Sequence, residues 1–188
     1  MNDQEQRMPD DCRDRGPYPY PGPGCGPGWG PGGWDSGKWD CQPKILRMMR
    51  ELAGSELRNI DLYDYLLTLR AVQMGAQQNM FIIVSNVLRD NKAFAARNLM
   101  LIKETYMDIT GENIEPIRQE FTQPTSYRNG VELVLFFEID DVEDYRNLLL
   151  EITNTPYYNN VFEMMTNDLI NVDRLNYLYA RTILPGSM

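Results

Sequence analysis

Residues 161–183 read VFEMMTNDLINVDRLNYLYARTI, and their apolar rhythm decides the fold class. Phe162, Met165, Leu169, Val172, Asn176, Tyr179 and Ile183 recur at alternating steps of three and four, the period of one buried helical stripe. The same rhythm runs through Val84, Val87, Asn91, Phe94, Asn98 and Leu101, and again through Val131, Leu135, Glu138, Val142, Tyr145, Leu149 and Ile152. A half-buried strand needs steps of two, and none of these stretches sustains them. The chain is therefore expected to be all-α, with Glu138 on a core stripe.

Breaks divide the helical part. Ser55 is a candidate N-cap for a first long helix over 55–73, with a short helix over 44–53 ahead of it stopped by Gly54. Met74, Gly75 and Ala76 form a turn, and a second helix over 77–108 ends at Thr110-Gly111. The connection over 112–129 holds Pro116 and Pro124 and is longer than a simple hairpin needs, so it can cross the length of a bundle. Helices over 130–152 and 157–183 follow, parted by Pro156. Two hairpins joined by one long crossover predict an antiparallel four-helix bundle over 44–188.

Residues 1–43 are different in kind. They contain nine of the 14 glycines, eight of the 12 prolines and all three tryptophans and cysteines. Alternation of φ-fixing proline with φ-freeing glycine leaves no apolar period to bury, so a low-complexity tail of extended or disordered chain is expected. Its aromatics, Tyr18, Tyr20, Trp29, Trp34 and Trp39, are candidate contacts for other proteins, and Cys12, Cys25 and Cys41 are candidate cross-links. Their spacing matches no zinc or haem motif.

Composition narrows function by exclusion. The chain has no histidine, which removes Ser-His and Cys-His nucleophile pairs and imidazole-ligated metals. A net charge of -9 and a pI near 4.6 argue against nucleic acid or an anionic membrane as partner. No stretch has the length and apolarity of a membrane span, and the opening MNDQEQRMPDD is acidic where a secretory signal is basic and then apolar. A cytoplasmic protein is expected. The acidic run over 138–144 lies on helical period without the glycine turn of a calcium loop, which suits a solvated face.

Helix two carries Asp90-Asn91-Lys92-Ala93-Phe94-Ala95 and ends with Tyr106, Ile109, Thr110 and Gly111; helix four carries Asp168-Leu169-Ile170-Asn171-Val172. On helix three Glu138 and Tyr145 are seven apart with Asp141 between them, and on helix one Glu56 and Tyr63 repeat that spacing, with Asp61 or Asp64 as the alternative inward-facing acid. In this frame the chain resembles the rubrerythrin-like branch of the ferritin-like superfamily. Members of that branch pair Glu and Tyr at this spacing on one helix with Asp-Glu-x-x-His-Ala on the next. The resemblance implies a bundle over 45–183 and, in a typical member, two iron or manganese ions held by Glu residues and by Glu-x-x-His pairs.

Aligned on that frame, the ligands are replaced: Asn91 and Phe94 stand for Glu and His on helix two, and Leu169 and Val172 stand for them on helix four. Asn91, Phe94, Glu138, Leu169 and Val172 are then expected to meet in one central, vestigial layer, with no catalytic residue and no cofactor. Glu138 there either hydrogen-bonds to Asn91, takes up a proton, or reaches solvent at the edge of its face.

The leading expectation is a non-catalytic structural or interaction protein that joins other proteins or itself, with the tail as the candidate contact. By analogy with Gly- and Tyr-rich tails of coat proteins, it would belong to a bacterial spore coat or cell-surface layer. The rivals are an iron- or manganese-binding protein or oxidoreductase with a carboxylate-only di-metal site of Glu56, Asp61, Glu138 and Asp141, and a small-molecule binder using the bundle interior.

Overall fold

The structure, a computed structural model, describes residues 42–73, 78–153 and 155–183. The chain divides at Gln42, and the helices belong to the unit Pro43–Met188. Cys12, Cys25, Cys41 and the aromatics of the tail lie outside the described residues. Four helices follow one another: α1 (Gln42–Gln73), α2 (Gln78–Thr110), α3 (Tyr127–Glu151) and α4 (Tyr158–Ile183). Among the described residues there is no strand, and no helix is long and apolar enough to cross a membrane.

The expected stop at Gly54 is not there; α1 runs through it as one helix. Glycine in a helix interior costs about 1 kcal/mol relative to alanine. Here it makes room for the connection between α2 and α3, because a Cβ on Gly54 would stand 1.8 Å from the Ile117 carbonyl oxygen. The connecting chain is tied down beside it. The Ile117 N–H donates to the Arg50 carbonyl at 2.9 Å, Arg50 Nε to the Glu115 carbonyl at 2.7 Å, and Gln119 Nε2 to the Glu51 carbonyl at 3.1 Å.

α2 ends as its sequence predicts. Gly111 adopts φ 73°, and its N–H closes on the Met107 carbonyl at 2.7 Å. α3 starts three residues earlier than the glycine suggested, because Ser126 caps it by accepting from the Asn129 N–H. Gly130 lies inside the first turn, where a Cβ would meet Leu66 Cδ2 at 2.2 Å, so its role is close approach of α3 to α1.

Hydrogen bonds fix which stretches of the four helices lie side by side. Tyr63 reaches Glu138 and Glu56 meets Tyr145, Glu56 meets Asn98 and Asp64 meets Lys92, Asn91 meets Asn171 and Asn98 meets Met164, and Glu138 meets Asn171 and Glu132 meets Tyr179. In each pairing the residue number falls on one helix as it rises on the other. On one side of this polar layer Leu62, Leu66, Leu88, Val131, Val134 and Leu175 form an apolar core. Ile45, Met49, Leu52, Leu148 and Val161 are buried elsewhere in the bundle.

The stripe read on α4 faces the wrong way. The buried positions are Val161, Met164, Asp168, Asn171, Leu175 and Leu178, each one residue before a member of that stripe, together with Asn167. Phe162 and Leu169 are about half exposed, Asn176 is exposed, and Met165, Val172 and Tyr179 are half-buried; the side chain of Ile183 lies outside the described ones. α4 carries two stripes, and a three-four rhythm cannot say which of them faces inward. On α2 and α3 the expected stripes hold, apart from half-buried Val87, Phe94 and Val142.

Candidate functional site

Midway along the bundle the apolar core gives way to a sealed polar layer. Glu56, Asn59, Asn91, Asn98, Glu138, Asp168 and Asn171 are each at most 1% exposed. Glu138 on α3 accepts three bonds: from the Tyr63 hydroxyl at 2.7 Å and Asn59 Nδ2 at 3.4 Å on one oxygen, and from Asn171 Nδ2 at 3.1 Å on the other. Glu56 on α1 accepts from the Tyr145 hydroxyl at 2.6 Å and from Asn98 Nδ2 at 3.0 Å.

The two Glu-Tyr pairs cross, since each tyrosine binds the glutamate of the other pair. Asn98 stands at the centre of the second half of the layer. Its Nδ2 also donates to Asp168 Oδ1 at 2.8 Å, and its Oδ1 accepts from Asn167 at 2.8 Å.

A flank of the layer holds the cation Arg58. Its guanidinium lies 3.4 Å from Asp141 Oδ2, stacks over the Phe137 ring at 3.7 Å and donates to Gln119 of the α2–α3 connection. Asp141 also accepts from Ser55 and, at 2.7 Å, from Asn59 Nδ2.

Four carboxyl groups are buried here, with Arg58 beside Asp141, and burial dominates their protonation. Removal from water pushes Glu138 up to about 8, against the opposing pull of the Tyr63 and Asn171 bonds. It pushes Asp141 up to about 6, where the Arg58 charge limits the rise. Glu56 and Asp168 are raised well above the carboxylate range by burial first and then by the other buried acids. Glu56 Oε2 and Asp168 Oδ2 have no hydrogen-bond partner, which suits neutral acids and not bare carboxylates. Tyr63 and Tyr145, raised by burial and then by their glutamates, remain hydroxyl donors.

Of the five expected members of the layer, Asn91 and Glu138 belong to it. They are joined through Tyr63, to whose oxygen Asn91 Nδ2 donates at 3.4 Å, and Glu138 is sealed inside with no path to an edge. The other three are corrections. Leu169 faces out, Val172 packs half-buried against the apolar core, and Phe94 lies half-buried beneath the Arg174 guanidinium at 5.1 Å. Val172 has apolar neighbours and Phe94 a cation to cover it, whereas Asp168 and Asn171 find hydrogen-bond partners within.

In the alternative set, Glu56, Glu138 and Asp141 are buried but Asp61 is exposed, so the four do not converge. The exposed acids of the run over 138–144 are Asp140, Glu143 and Asp144. Asn98, Asp168, Asn171, Asn59 and Arg58 were missed as site residues. The signal that finds them is the doubled Glu-Tyr spacing, because two buried glutamates require donors.

The donor set does not fit the di-metal centre that the resemblance implies. Amide and hydroxyl protons from Asn98, Asn171, Asn59, Tyr63 and Tyr145 point at carboxylate oxygens that metal ions would need, and no imidazole is present. Among the described residues no three Cys, Asp or Glu side chains are grouped to hold a metal ion. A surface depression of about 430 Å³ lies at the α3–α4 connection, lined by Leu149, Leu150, Thr155 and Tyr158, and not in the bundle interior. No family model, curated protein or solved structure matches this chain.

Proposed function

We propose that the chain is an antiparallel, ferritin-like four-helix bundle whose metal layer has been rebuilt as a hydrogen-bonded one, and that it acts as a non-catalytic structural or interaction protein. The observation that carries this reading is the position of Asn98, whose single amide nitrogen donates to both Glu56 and Asp168. A cation bridging two carboxylates would occupy that kind of place. In this reading Asp168 and Asn171 fill the Glu-x-x-His frame on α4, and Ala95 and Asn98 fill it on α2, in place of the positions chosen from sequence.

The opposed numbering of the neighbouring helices, the long α2–α3 connection and the crossed Glu-Tyr pairs support the same topology. A layer closed to solvent, with its carboxyl groups bound by amide and hydroxyl donors, supports a structural role over a catalytic one. The rival reading, an all-carboxylate iron or manganese site, draws on the unpartnered oxygens of Glu56 and Asp168, and protonation accounts for both. The Gly/Pro-rich segment 1–43, with its aromatics and Cys12, Cys25 and Cys41, supplies the interaction role, and coat or surface-layer assembly is the setting we favour.

Elemental analysis of protein from iron- and manganese-supplemented cells tests the reading. We expect less than a tenth of an equivalent of either metal after dialysis. Stoichiometric metal that disappears in a Glu56→Gln variant would overturn it.

A further inference from the structure

The outward face of α4 carries a row of large apolar side chains in the wrong place for a solvated helix. Tyr158, Phe162, Leu169, Ile170 and Tyr177 are between 38% and 48% exposed and recur at steps that keep them on one side of the helix. The Tyr158 and Phe162 rings stack at 6.4 Å with only 11° between their planes, which fixes a flat aromatic surface before any partner arrives. On one flank Arg97 neutralises Glu163 at 2.6 Å.

We propose that two copies of the chain join through this face, α4 against α4 in opposite directions, about a two-fold axis passing between Leu169 and Ile170. Phe162 of one copy then meets Tyr177 of the other, and Leu169 meets Ile170. The direction follows from charge. Asp173 sits among the outward apolar positions; side-by-side parallel helices would set it against its own copy, whereas opposed helices set it against the hydroxyl-bearing Thr166.

The area suffices. Five side chains at these exposures present roughly 450 Å² per copy, and with the intervening polar residues two copies bury about 1,000 Å² or more, the floor for a specific interface. The inference names a partner for the interaction role above but rests on the surface alone, so metal content and molecular mass test the two separately.

Sedimentation velocity on the full chain carrying Cys12→Ser, Cys25→Ser and Cys41→Ser removes any contribution of tail disulfides. We expect the mass of two copies, strengthening as salt screens the charge of -9 on each. The further changes Phe162→Glu and Leu169→Glu should yield one copy, with a dissociation constant raised about a hundredfold or more and helicity unchanged. In the same cysteine-free background Leu169→Cys should cross-link to itself on mild oxidation, which tests the geometry without disturbing the fold. A parent chain of single-copy mass, a dimer indifferent to the two glutamates, or a Leu169→Cys chain that stays uncross-linked would each overturn the proposal.

Discussion

Two faces of α4 divide the chemistry of this protein in an unexpected way. The inward face presents Asp168 and Asn171 between Met164 and Leu175, while the outward face presents Phe162 and Leu169 to solvent. What separates them is partnership. Asp168 has the Asn98 amide beside it and Asn171 has Glu138, so their burial cost is partly offset, whereas Phe162 and Leu169 stay about half exposed among the described residues. Hydrophobicity alone places neither face.

The contrast can be broken most severely by putting a charge on the inner face away from its donors. Leu175 is fully buried in the apolar cluster, and Leu175→Asp should cost about 4 kcal/mol or more, enough to abolish the helical signal in circular dichroism at room temperature. Next comes Asn98→Leu, which removes the donor shared by Glu56 and Asp168 and the acceptor of Asn167. Urea denaturation should report a loss of about 2–4 kcal/mol. An unchanged midpoint would mean that the layer is not held by its amides.

Protonation sharpens the account further. Glu138, raised to about 8 in the fold, binds its proton more tightly there than in an unfolded chain, where a glutamate titrates near about 4.3. Its stabilising contribution is therefore complete below the unfolded value and is lost as pH rises through the folded one. Asp141, raised to about 6, acts with the same sign over the lower part of that window, and the rises of Glu56 and Asp168 carry that sign too. The melting temperature should consequently fall from mildly acid pH towards pH 8.

In Glu138→Gln the fall should flatten, leaving the variant more stable than the parent at pH 8 by about 2–3 kcal/mol. Asn171 can accommodate the new amide by turning its own, because its Oδ1 has no partner. The smallest expected effect belongs to the outer face: Leu169→Asp should leave the stability of a single copy within about 0.5 kcal/mol.

Much of this architecture was legible from residue spacing. The Thr110-Gly111 stop, the break at Pro156, the long connection and the stripes of α2 and α3 all follow from local rules, and the period puts Glu138 on a core stripe without deciding between burial and the edge of that face. Gly54 and Gly130 were misread because their reason is long-range: each makes room for a chain segment far away in sequence. The register of α4 does not follow from apolar content, because its buried side carries Asp168 and Asn171 while its exposed side carries Phe162 and Leu169. Asp168 and Asn171 look like surface residues until the glutamates facing them are known. Arg58 was invisible for the same reason, since its partner Asp141 lies on another helix.

The central claim is that asparagine amides and protons, and not a metal ion, satisfy the buried carboxyl groups. Thermal unfolding of the intact chain with and without added manganese or iron(II) tests it most directly, since a ligand that binds the folded state raises the melting temperature with its concentration. The account predicts no rise for the parent chain and none for Glu56→Gln. A melting temperature that climbs with metal in the parent and stays flat in Glu56→Gln would contradict it.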